Sequence, residues 1–154
     1  MKFERTADLD LMKRIITTPE VWPFVSDDFS GDPENFQVPS DPRIWNMLVI
    51  DDGALLGAFM FVPRSGICWE VHTLMLPGHG AARAAQASRE MAAWIWANTP
   101  CLRIITEVPD FNPLAFKFAV KAGMLQFGRN ERCVMKFGVL HDEILLGLNK
   151  PEDS

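Results

Sequence analysis

The spacing of apolar and polar positions divides the chain into strands, helices and loops. Lys2 to Arg5 reads as a short first strand. With Thr6 as the cap, Leu9, Met12, Ile15 and Ile16 then recur at helical spacing until Pro19 interrupts them, and Glu20 to Val25 adds another short turn of helix. Ser26 to Pro42 has no sustained period and carries Gly31, Pro33, Pro39 and Pro42, so it reads as a loop. Trp45 to Ile50, Ala54 to Val62 and Ile67 to Met75 read as three strands of an antiparallel meander, with a tight turn at Asp51-Asp52-Gly53. Ala54 to Val62 is apolar on both faces and is therefore expected at the centre of a sheet.

The period then changes. Ala81 to Asn98 reads as a helix rich in alanine, a small residue that lets a helix lie close to a sheet. Leu102 to Val108 follows as a strand, and strand, helix, strand predicts a right-handed crossover with a parallel strand pair. Asn112-Pro113 marks a second helix start and Gly123 its end. Glu131 to Phe137 and Asp142 to Leu148, parted by Gly138, read as a closing hairpin. The expectation is a single α/β domain of the α+β kind over 1–149, followed by a frayed polar tail over 150–154. Its sheet is mixed and mostly antiparallel, with helices on both faces.

Composition narrows the function. A chain of 154 residues that is 48% hydrophobic suits one domain with a real core. Its net charge of -5 has the wrong sign for a general nucleic-acid binder. The longest apolar run, Ala54 to Val62, is too short to span a bilayer, and no secretory signal is read near the start. Cys68, Cys101 and Cys133 are far apart and odd in number, which points to a reducing cytoplasm rather than a disulfide framework. Cys68 and His72 have helical ligand spacing but lie in a strand, so no metal is expected. The charged residues of the 26–42 loop are all acidic: Asp27, Asp28, Asp32, Glu34 and Asp41. They are either a solvated surface or the cation-attracting lip of a site.

The densest chemical signal is Pro77-Gly78-His79-Gly80-Ala81-Ala82, which leaves a strand and begins a helix. Glycines there leave backbone N–H groups uncovered, and the helix N-terminus adds positive potential, a combination that suits phosphate. The loop is not a Walker motif, because no Lys-Ser/Thr follows, and the acidic ribose partner of a dinucleotide fingerprint is missing.

This loop after the fourth strand, together with the order β-α-α-β-β-β-α-β-α-β-β, resembles the GNAT superfamily of acyl-CoA N-acyltransferases. Gly80 and Ala82 match the family pattern Gln/Arg-x-x-Gly-x-Gly/Ala, with Pro77 in the Gln/Arg place. Asn112, Ala115, Phe118, Lys121, Gly123 and Met124 match its second block, with Ala119 where a tyrosine is usual. The closing hairpin, with Asp142 and Leu146-Gly147-Leu148, resembles the ends of ribosomal-protein N-acetyltransferases, and GNAT-like proteins of tailed phages look similar. The resemblance implies a splayed parallel pair formed by the fourth and fifth strands, with acetyl-CoA as cosubstrate between them. Its pantetheine arm is then expected along His72, Thr73 and Leu74, and its pyrophosphate on Gly78, His79, Gly80, Ala81, Ala82 and Arg83. Arg83 equally reads as a surface residue, and Asn112 as a CoA contact or simply a helix cap. The implied acceptor is an amine, either a cationic small molecule or a protein N-terminus or lysine, and the protein a monomer or homodimer.

Transfer to an amine needs a base. Glu107 lies five residues before Asn112, the offset at which ribosomal-protein alanine acetyltransferases carry a catalytic Glu. Glu70 and His72, two apart on one strand face, are the alternative. The chain contains no tyrosine, so Cys133 or water is left to protonate the departing thiolate. A protein of this fold that has lost catalysis and serves as a CoA-binding or interaction module is the second reading. The tryptophans read as core or groove lining.

Overall fold

A computed structural model describes residues 1–152 of the chain. The strands are β1 (Lys2–Arg5), β2 (Trp45–Asp51), β3 (Ala54–Pro63), β4 (Cys68–Met75), β5 (Arg103–Pro109), β6 (Leu125–Lys136) and β7 (Val139–Asn149). The helices are α1 (Leu9–Ile16), α2 (Trp22–Val25), α3 (Ala81–Asn98) and α4 (Pro113–Lys121), with a 3-10 turn at Pro33–Asn35. They follow one another in the expected order. The cap of α1 differs: Asp8, not Thr6, accepts from the Leu11 N–H, while the Thr6 hydroxyl accepts from Asp8 one step earlier.

The strands form one seven-stranded sheet in the order β1-β2-β3-β4-β5-β7-β6. All neighbours are antiparallel except β4 and β5, which α3 forces parallel by carrying the chain across the sheet. On the α3/α4 face, Met91 and Ile95 of α3 meet Phe59, Phe61, Trp69 and Ile104. On the other face, Met12, Ile15 and Ile16 of α1 cover Leu48, Ala58, Met60 and Leu74. Met12 and Ile95 are fully buried, each contributing roughly 1.5–3 kcal/mol of transfer free energy. No helix among the described residues is long and apolar enough to cross a membrane.

The closing hairpin is longer than its hydrophobic pattern indicates. β6 begins at Leu125 rather than Glu131, and β7 at Val139 rather than Asp142. The pairing of β6 breaks between Asn130 and Val134, where Arg132 sits at φ 52. That bulge throws off the alternation by which a strand is recognised. At the far end, Lys150 is tied down by its N–H on the Leu102 carbonyl (2.8 Å), so the expected tail does not begin to fray there. Residues 153 and 154 of that tail lie outside the described residues.

Candidate active site

The parallel pairing of β4 with β5 is brief. Cys68, Trp69 and Glu70 pair with Arg103, Ile104 and Ile105, and the ladder then stops. Past that point Val71 to Met75 remain bonded to β3 but have no partner on the β5 side. The two strands therefore diverge with backbone polar groups facing a gap. One of these groups is satisfied locally, since the Thr106 hydroxyl donates to the Val71 carbonyl (3.1 Å).

A cavity of about 380 Å³ fills the gap and reaches both faces of the sheet. Val71 and Thr73 of β4, Val108 of β5, Met91 of α3, and Ala115 and Ala119 of α4 line it from one side. Glu70, His72, Glu107 and Glu143 line it from the other, with Phe24 to Asp27 closing the edge. Strand alternation accounts for the division. Trp69 and Val71 point to α3, whereas Glu70, His72 and Leu74 point to the α1 side. In register, Glu107 lies opposite Leu145, and Glu143 opposite Pro109, so both carboxylates share that second face.

The sequence candidates are not equally available. Glu70 is 3% exposed and forms an ion pair with Arg64, with His72 Nε2 a further 3.5 Å from its other oxygen. That carboxylate is neutralised by a neighbouring cation. His72 is half-exposed, and Glu107 is half-buried with no ion pair among the described residues. Glu143 was not singled out by the sequence. Burial, and after it the Glu107 charge, push its carboxyl above the usual range. Cys133 does not line the cavity: it sits in the β6 bulge, with Sγ donating to the Asn130 carbonyl (3.3 Å) and lying 3.5 Å from Glu143 Oε1. Desolvation, and after it the Glu143 carboxyl beside it, raise its thiol pKa.

The segment 76–80 joins β4 to α3, whose first residues are Ala81 to Arg83. Gly78 has φ 94, and Gly80, the residue before α3, has φ 81 and ψ 152, a combination open essentially to glycine alone. A Cβ added at either would meet nothing within 4 Å, so the space in front of the loop is free. No side chain caps α3, and its first internal bond is Ala84 N–H to the Gly80 carbonyl, which leaves the earlier N–H groups of the helix without partners inside it. Arg83 is already committed: its Nε and Nη2 both bond Asp51 Oδ2 (2.9 and 2.6 Å), favouring its surface reading over a phosphate contact. Asn112 does cap α4, with Oδ1 accepting from Ala115 N–H at 3.2 Å, and it also borders the cavity.

The acidic loop divides in the same way. Asp27 lines the cavity edge. Asp28 instead accepts from the Phe137 and Gly138 N–H groups (2.7 and 2.8 Å), and those bonds hold its pKa below the ordinary range. Asp41 pairs with Arg43 (2.8 Å). The loop is thus strapped at its start to the β6–β7 turn through Asp28, and its carboxylates do not form a continuous negative lip. Lys136 reinforces it from below, with its ammonium on the Pro23 and Ser26 carbonyls (2.7 and 2.8 Å). The β5–α4 connection is pinned too, by Asp110 against His141 Nδ1 (2.6 Å) and against the Asp142 N–H (3.2 Å).

No protein-family model matches the sequence, and no curated protein matches it. Solved acetyltransferases nevertheless share the fold. Spermidine N-acetyltransferase from Vibrio cholerae, solved in complex with CoA and spermine, superposes with a TM-score of 0.75 at 14% identity, over 96% of this chain and 94% of that one. Ribosomal-protein-alanine N-acetyltransferase from Brucella melitensis gives 0.67 at 13% identity, over 97% and 100%. A GNAT-family acetyltransferase from Bacillus anthracis gives 0.59 at 18% identity, over 70% and 66%. The expected GNAT fold is therefore the fold observed.

Proposed function

We propose that the protein is an N-acetyltransferase that takes acetyl from acetyl-CoA and transfers it directly to an amine. The observation that carries this reading is the cavity through the split between β4 and β5, with the free loop and helix end at Gly78–Arg83 at the end of β4 and Glu107 on the opposite face. The unpaired backbone from His72 to Leu74 fits a pantetheine arm, which carries alternating amide donors and acceptors. The N–H groups of Gly80 to Ala82 fit its pyrophosphate, and Asn112, at the cavity edge, donates to the cofactor through Nδ2, which has no bond among the described residues. Bound acetyl-CoA supplies an activated acyl carbon and a thiolate leaving group.

Glu107 is the base in this reading. It takes the proton of the ammonium so that the nitrogen lone pair can attack the carbonyl carbon, forming the C–N bond as the C–S bond breaks. With Ala119 where a phenol is usual, water in the cavity beside the sulfur relays to the thiolate the second proton that the nitrogen sheds as the amide forms, while Glu107 keeps the first. Glu107, Glu143 and Asp27 favour a cationic acceptor, and both a small polyamine and a protein amino group meet that description. The neighbour solved with spermine makes polyamines the first to try.

Purified protein with acetyl-CoA and a panel of amines, read by release of free CoA thiol, tests the proposal. Turnover should appear with at least one amine, and Glu107→Gln should lower kcat on the order of 10²-fold with acetyl-CoA affinity little changed. Full activity in Glu107→Gln, together with loss in His72→Ala, would move the base to β4. The second reading, a CoA-binding module without catalysis, is favoured by Ala119 in place of tyrosine. Tight acetyl-CoA binding without thiol release across the panel would establish it.

A further inference from the structure

Glu143 has no part in the resemblance that led to Glu107, yet it is a second carboxylate on the strand paired with β5. Both side chains stand on the same face of the sheet, on adjacent antiparallel strands, two residues out of register. Both line the cavity, and diagonal neighbours on adjacent strands lie within reach of long side chains such as these. Two ionised carboxylates at that separation repel each other, whereas one proton held between them turns repulsion into a bond.

We propose that Glu143 is the positioning residue of the base: its carboxyl keeps a proton and donates it to the Glu107 carboxylate, holding that group toward the acceptor side. The inference rests on Glu107 being the base. The groups facing the pair support a single shared charge. From β4 come Glu70, already neutralised by Arg64, and His72; from β6 comes Cys133, its Sγ 3.5 Å from Glu143 Oε1; from the segment after α2 comes Asp27. The nearest buried cation on this side, Lys136, is held on the Pro23 and Ser26 carbonyls. Within this set there is no free cation to let both carboxylates ionise together. An arriving ammonium is the group that does so, which makes the pair responsive to a charged acceptor.

The test has one arm that needs no activity. Carboxyl-detected NMR titration of the 13C-labelled protein should give Glu143 a midpoint above the ordinary value near 4.3, and that midpoint should fall toward it in Glu107→Gln. A Glu143 midpoint at the ordinary value, or one that ignores Glu107→Gln, overturns the proposal whether or not the protein is an enzyme. In the kinetic arm, Glu143→Gln keeps an N–H donor and should hold kcat within about threefold, while Glu143→Leu should lower kcat about tenfold with KM little changed. Equal losses in Gln and Leu would also overturn it. A normal titration result alongside an inactive parent enzyme would refute the proposed function and the pair separately.

Discussion

Substituting Gly80 tests the cofactor assignment, provided two effects are kept apart. The residue sits at φ 81 and ψ 152, so any side chain there strains the backbone by about 1–3 kcal/mol. In a domain of this size that lowers Tm by roughly 2–4 °C per kcal/mol, and a typical reserve of about 5–15 kcal/mol leaves the protein folded. Gly80→Ala and Gly80→Asp share this strain, and neither Cβ meets an atom within 4 Å. They differ in charge. A carboxylate about 4 Å from a bound phosphate costs between about 1 and 4 kcal/mol as the effective dielectric falls from that of water to a partly shielded surface, roughly fivefold to a thousandfold in Kd. The Asp side chain also competes for the free N–H groups at the start of α3, as a cap does. Calorimetry with acetyl-CoA on both variants, after Tm has shown each to be folded, gives the comparison. Equal affinities for Gly80→Ala and Gly80→Asp would refute the phosphate reading of this loop.

Other consequences are as direct. Thr106→Val removes the donor on the Val71 carbonyl at the point where β4 and β5 part, and should cost about 1–3 kcal/mol, whereas Thr106→Ser should keep most of the stability; urea unfolding of both decides it. Ala119 is 6% exposed and borders the cavity, so Ala119→Tyr should fold with a melting temperature near the parent's and raise thiol release; a lower Tm without gain in rate, the sign of an overpacked wall costing about 1–3 kcal/mol, would show that space to be closed. Asp28 and Asp142 have folded pKa values below the ordinary carboxylate value, the first mainly through the Gly138 and Phe137 N–H groups, the second mainly through the Arg132 N–H. Their stabilisation is complete above that ordinary value and is lost as pH falls through the lowered ones, so Asp28→Asn should flatten the Tm profile below about pH 4; an unchanged slope would refute the strap's acid dependence.

Much of this arrangement is legible along the chain because it is local. The alanine-rich helix, the Asn112-Pro113 start of α4, its end at Gly123 and the meander from β2 to β4 depend on neighbours within a few residues. Gly123 closes α4 with paired bonds, its own N–H to the Val120 carbonyl and the Met124 N–H to the Ala119 carbonyl, both 3.0 Å. The two glycines of the loop and the crossover into a parallel strand were readable for the same reason. What the chain order does not contain is which side chains meet across strands. Arg64 neutralises Glu70, Asp51 holds Arg83, and Asp28 is drawn to the β6–β7 turn 110 residues away, each giving a charged group a partner that spacing along the chain does not show. Glu143 entered the site for the opposite reason: antiparallel pairing of β5 with β7 sets it beside Glu107, although 36 positions separate them in the sequence. Hydrophobic period determined the elements, since burial of one face is a property of each segment. The placement and charge of the site were decided only in three dimensions, because electrostatic partners are chosen by distance in space.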